Sequence, residues 1–160
     1  MDTRTTLLYV DDNPKSSRLL SSVLEECGFR VISKNDPTEA LALCRRASFD
    51  LALLDYEMPA MSGARLAREI KYLMPEVPVV LISGRKAIPE PELEFVDAHF
   101  GFGTSLDDLL WTMRILVPPQ VVVSPHGSNA EPPFQDRHEV HGYQNQDGGS
   151  VTAMRWADST

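Results

Sequence analysis

The residues whose types and spacing could do chemistry are acids at the ends of apolar runs. Leu7–Val10 is followed at once by Asp11 and Asp12, and the run Leu51–Leu54 ends in Asp55. If both runs are neighbouring strands of a parallel sheet, about 5 Å apart, the three carboxylates converge on one small volume. Three like charges held that close repel one another unless a cation joins them. An all-oxygen, carboxylate-lined site suits Mg²⁺, which keeps several waters and recruits phosphate as a further ligand. A carboxylate is also a competent nucleophile toward phosphorus, giving an acyl phosphate. Ser83 ends a third apolar run, Val77–Ile82, and its hydroxyl could donate a hydrogen bond to a phosphoryl oxygen at Asp55. Asp and Ser each serve turns and helix caps by themselves; three acids at matching strand ends carry the argument.

The elements that must position these groups follow from the pattern of the chain. Asn13 and Pro14 form a cap and a first helical residue, after which Leu19, Leu20, Val23, Leu24 and Cys27 recur at helical spacing up to Gly28. Phe29–Ser33 reads as a second strand, and Asp36-Pro37-Thr38-Glu39 as a capping box opening a second helix. Gly63–Leu73 reads as a helix stopped by Pro75, and Val77–Ile82 as a strand. Pro89 and Pro91 leave room for only a short or late helix before a weak fifth strand at Ala98–Phe102. Ser105 caps a last helix carrying Leu106, Leu109, Leu110, Met113 and Val117. Strands alternating with helices predict an α/β fold, a doubly wound five-stranded parallel sheet with helices on both faces. Ligands of such sheets bind beyond the carboxyl ends of the strands, where the acids lie.

Composition narrows the rest. The net charge of −8 is spread along the chain, with no basic face for a phosphate backbone, so nucleic acid is not an expected partner. No segment approaches a membrane span, so neither a membrane nor a secretory route is expected, and the protein is read as cytoplasmic. Cys27 and Cys44 lack metal or redox spacing and are read as small apolar residues. Residues 118–160 are rich in Pro, Gly, Ser, Asn, Gln and His; they are expected to be a low-complexity, disordered tail behind a folded unit spanning 1–117.

The motifs resemble those of bacterial two-component response-regulator receiver domains. Leu7-Leu8-Tyr9-Val10-Asp11-Asp12-Asn13-Pro14 is similar to the opening strand and acid pair of that family. Leu53-Leu54-Asp55-Tyr56-Glu57-Met58-Pro59 with Gly63 is similar to its phosphoacceptor strand and loop, and Val79-Val80-Leu81-Ile82-Ser83-Gly84 to its switch strand. The resemblance covers roughly residues 5–117 and implies a flavodoxin-like strand order, 2-1-3-4-5. It further implies that Asp55 is the phosphoacceptor and that Asp12 is the main Mg²⁺ ligand. Asp11 would contribute directly or through water, the Glu57 backbone carbonyl would complete the set, and Ser83 would be the switch hydroxyl. The implied partners are a sensor histidine kinase or phosphotransfer protein and a downstream protein that the sequence does not name. Such a domain is no enzyme beyond its own phosphorylation and dephosphorylation.

One family feature is missing. Phe102 stands at the position where the family carries a Lys that pairs with the phosphoryl group, and no Lys follows Lys86. A phenyl ring cannot make a charge-assisted bond to phosphate. Arg85 and Lys86, just after Ser83, are the candidate substitute cations, and Glu57 and Arg85 could pair across the site. The competing expectation is an atypical receiver-like interaction module that phosphorylation does not control.

Overall fold

A computed structural model describes residues 4–85, 87–101 and 103–117, together with the backbone of Thr152–Ala153. In chain order the elements are β1 (Thr6–Val10), α1 (Pro14–Glu26), β2 (Arg30–Lys34), α2 (Pro37–Cys44), β3 (Leu51–Asp55), α3 (Gly63–Leu73), β4 (Val79–Ile82), a 3₁₀ turn (Glu90–Leu93), β5 (Ala98–Phe100), α4 (Leu106–Leu116) and β6 (Thr152–Ala153). β1 to β5 are parallel, in the expected order 2-1-3-4-5. The sheet differs from the expected five strands in one respect: β6 is added antiparallel to β5, with His99 opposite Thr152. The remainder of 118–160 lies outside the described residues, as do Lys86 and Phe102.

Strand alternation divides the core. Leu8, Val10, Ala52, Leu54, Val79 and Leu81 point to one face, where α2 and α3 bring Ala40, Cys44, Leu66, Ala67 and Ile70. Leu7, Tyr9, Leu51, Leu53, Val80 and Phe100 point to the other, against Leu24 of α1 and Leu109, Leu110 and Met113 of α4. A sheet buried on both faces needs continuous apolar strands rather than alternating ones. Leu51–Leu54 meets that need, with every residue buried.

Local chemistry sets the helix starts. Asn13 accepts hydrogen bonds from the backbone N–H of Lys15 and Ser16 and precedes Pro14. Asp36 accepts from Thr38 N at 2.6 Å. Glu39, the far end of the expected capping box, instead pairs with Lys34 at 3.4 Å. Ser62 and Ser105 cap α3 and α4 through Arg65 N and Asp108 N. The proline pair at 89 and 91 reduces the fourth helical segment to the 3₁₀ turn. Leu93 of that turn is buried against the α3 side of the sheet.

Candidate functional site

Register brings the acids together. Val10 lies opposite Leu54, so the next residue on each strand places Asp11 beside Asp55. Asp55 in turn lies opposite Ile82, one residue before Ser83. Asp11, Asp12 and Asp55 each present a carboxylate oxygen, and these atoms all lie within 4.8 Å of one another. Asp11 is buried, whereas Asp12 and Asp55 are half-buried. A donor set made only of carboxylate oxygens at this spacing fits a hard divalent cation such as Mg²⁺.

Asp11 is held from three sides. Its Oδ1 accepts from Asn13 N at 2.8 Å, and its carbonyl accepts from Asn35 Nδ2 at 2.6 Å. Its Oδ2 accepts from the Tyr9 hydroxyl at 2.6 Å. Asp11 directly follows β1 and continues its ladder through an N–H bond to Lys34 O, so, two residues after Tyr9, it points to the same side of the sheet. Burial, reinforced by the Asp11 carboxylate, pushes the Tyr9 hydroxyl far above the ordinary phenol range, so it stays a donor. Sequence reasoning missed this partner. The available signal was a single polar tip inside an apolar strand, two residues before an acid.

Burial holds the Asp55 carboxyl above the usual carboxylate range, and the negative charges of Asp11, Asp12 and Glu57 push in the same direction. A hydrogen bond from the Glu57 backbone N–H acts against them. The Glu57 side chain turns to Arg85, whose Nε donates to Oε1 at 2.8 Å. Both side chains are about half exposed, at 45% and 59%, so solvent screens the pair and it holds the loop only weakly. The Arg85 guanidinium lies 5.7 Å from the centre of the Tyr56 ring. The Tyr56 hydroxyl donates to Glu92 of the 3₁₀ turn at 2.9 Å.

Ser83 is buried at the end of β4. Its N–H donates to Phe100 O, and its Oγ accepts from Arg85 N at 2.9 Å. That acceptor bond leaves the hydroxyl hydrogen free to turn toward another group. His99 is half-buried on β5, and burial lowers its imidazole below the ordinary range. The expected site residues Lys86 and Phe102 fall outside the described residues.

Comparison with known proteins agrees with this geometry. Residues 7–98 match the family model described as the response regulator receiver domain. The uncharacterised transcriptional regulatory protein YkoG of Bacillus subtilis is 33% identical over 84 residues, which cover 52% of this chain and 37% of YkoG. The transcriptional regulatory protein GlrR of Escherichia coli is 32% identical over 98 residues, 61% of this chain and 22% of GlrR. The chain therefore spans well under half the length of these relatives. Among solved structures, response regulator protein TrrA of Thermotoga maritima in complex with Mg²⁺ and BeF is 27% identical. It has a TM-score of 0.64 and covers 71% of this chain and 99% of that one. Histidine kinase ThkA in complex with TrrA gives a match at 26% identity and a TM-score of 0.65, over 71% of this chain and 98% of the matched chain.

Proposed function

This chain belongs to the response regulator receiver domain family, and from that premise we propose that it accepts a phosphoryl group on Asp55 from the phosphohistidine of a sensor histidine kinase or phosphotransfer protein. The observation that carries the reading is the convergence of the Asp11, Asp12 and Asp55 carboxylates within 4.8 Å. Asp12 would be the main Mg²⁺ ligand, with Asp11 contributing directly or through water and the Glu57 carbonyl completing the protein's share. When bound, Mg²⁺ neutralises the phosphoryl oxygens and aligns donor and acceptor.

An Asp55 carboxylate oxygen attacks phosphorus in line. The P–N bond to the donor imidazole breaks, and the departing imidazole takes up a proton from water. The product is an acyl phosphate on Asp55. Attack by water later breaks its P–O bond, releasing inorganic phosphate and restoring the carboxylate. Ser83 directs its free hydroxyl hydrogen to a phosphoryl oxygen. No other turnover is assigned to residues 1–117, which act as the receiver unit in the cytoplasm.

The signal leaves through protein contact. Trp111 and Ile115 of α4 are both exposed, and at i and i+4 they form an apolar pair on one face of the helix that follows β5. Exposed apolar groups of this size on one helix suit a downstream protein partner. A nucleic acid is not expected there, given the net charge of −8. Among the described residues, no helix is long and apolar enough to cross a membrane.

The test is treatment of the purified protein with a small phosphodonor, with and without Mg²⁺, followed by intact mass measurement. The expected result is a gain of one phosphoryl group that requires Mg²⁺ and is lost in Asp55→Ala. No gain in a protein shown to be folded would assign the fold to an interaction module that phosphorylation does not control.

A further inference from the structure

The described acceptor site is short of positive charge. The charges acting most strongly on Asp55 are those of Asp11, Asp12 and Glu57, all negative. The sequence carries Phe102 where the family carries its phosphate-pairing Lys. Arg85 is placed to supply the missing positive charge. It follows Ser83 by two residues, its backbone N–H is held by Ser83 Oγ, and its side chain rests on Glu57. Glu57 itself lies close enough to Asp55 to act on its charge.

We propose that Arg85 is an exchangeable counter-cation: Glu57 holds it in the resting protein, and it moves to the phosphoryl group once Asp55 carries one. This rests on the phosphoacceptor reading and adds to it the residue that replaces the missing lysine. Three features of the structure support the exchange. The Glu57 pair is half exposed and weak, so little opposes its release. A guanidinium offers a fork of donors that matches phosphoryl oxygens, and charge-assisted bonds of that kind exceed the exposed pair in strength. The anchor at Ser83 Oγ ties Arg85 to the same switch residue that turns toward the phosphoryl group, so the two motions are coupled. Departure of Arg85 also uncovers the Tyr56 ring, whose hydroxyl reaches Glu92, and so carries the event outward to the 3₁₀ turn.

The exchange and a merely structural ion pair differ in sign. If the pair only braced the loop, removing either partner would weaken phosphoryl binding alike. If Glu57 competes with the phosphoryl group for Arg85, removing Glu57 strengthens binding and removing Arg85 weakens it. The experiment is calorimetric titration of the full chain with beryllofluoride in saturating Mg²⁺, for wild type, Arg85→Ala, Arg85→Gln and Glu57→Gln. Mg²⁺ affinity is measured alongside to show that each variant keeps its fold. The expected result is affinity for beryllofluoride on the order of tenfold lower in both Arg85 variants and severalfold higher in Glu57→Gln. Phe102→Lys added to Arg85→Ala is expected to restore binding. Arg85 variants that bind as tightly as wild type, or a Glu57→Gln protein that binds as weakly as they do, would overturn the exchange while leaving the acceptor reading intact. A folded wild type that binds Mg²⁺ but no beryllofluoride would overturn both.

Discussion

The buried carboxylate of Asp11 depends on a phenol. Tyr9 is 1% exposed and shares its side of the sheet with Asp11, so its hydroxyl has the Asp11 Oδ2 as its partner in the core. Tyr9→Phe keeps the ring in the core cluster beside Leu53 of the neighbouring strand but leaves one buried carboxylate oxygen without its donor. The expected cost is about 1–3 kcal/mol of stability, read from denaturant unfolding. Groups that orient a metal ligand also tune its affinity, so Mg²⁺ should bind on the order of tenfold more weakly, measured by titration. Unchanged Mg²⁺ affinity in a destabilised Tyr9→Phe protein would restrict the hydroxyl to a packing role. The tyrosine is visible in the sequence, but its partner becomes visible only once residues 6–10 are known to be a strand with one polar end.

At the scale of elements, the site is shaped by how closely α3 approaches β3. A Cβ on Gly63 would overlap the carbonyl oxygen of Asp55 and stand 3.0 Å from Leu81 Cδ2. The Gly63 N–H donates to Tyr56 O at 3.0 Å, closing the loop 56–62 over the strand end. Gly63→Ala must therefore push α3 away from the backbone that carries the acceptor. The expected loss is roughly 1–3 kcal/mol, seen as a lower unfolding midpoint. The same substitution should slow phosphorylation of Asp55 by a small phosphodonor, because a displaced Asp55 loses its alignment with Asp11 and Asp12. The extents of α1 and α3 were legible because proline, asparagine, serine and glycine act on their immediate neighbours. The fourth helical segment was legible only as an interruption. That it would become a 3₁₀ turn holding Glu92 against Tyr56 follows from packing across 36 residues of sequence.

At the scale of the whole molecule, the metal-free fold carries a concentrated negative end on a chain already at −8. Burial first, and then the neighbouring acids, raise Asp55 above the ordinary carboxylate range. A carboxyl raised on folding favours the folded state in its protonated form. Its contribution is complete below the ordinary carboxylate pKa and is lost as pH rises through the raised value. Metal-free protein should therefore lose stability across that window, and added Mg²⁺ should restore it at neutral pH. Asp55→Asn removes one of the repelling charges and should raise the metal-free unfolding midpoint at neutral pH, by an amount that solvent around the half-buried Asp55 keeps small. Mg²⁺ should then stabilise the variant less than the wild type. A thermal melt series in pH and Mg²⁺ checks both outcomes, and an Asp55→Asn midpoint below that of wild type would contradict them.

What the sequence alone determined about this protein is its alternation of strands and helices, the caps that start the helices, and the acids at the strand ends. These depend on periodicity and on the turn chemistry of adjacent residues, which act within a few positions of the chain. Tertiary structure decided which side chains meet. Parallel register set Asp11 beside Asp55, and alternation assigned α1 and α4 to one face and α2 and α3 to the other. The pairing of Glu57 with Arg85 was anticipated from their flanking positions and is found across 28 residues, whereas the approach of Arg85 over the Tyr56 ring emerged only with both loops in place. The return of Thr152–Ala153 to the edge of β5 has no counterpart in local pattern. A two-residue strand carries almost no periodic signal, and it forms only where an open edge already offers unpaired backbone groups.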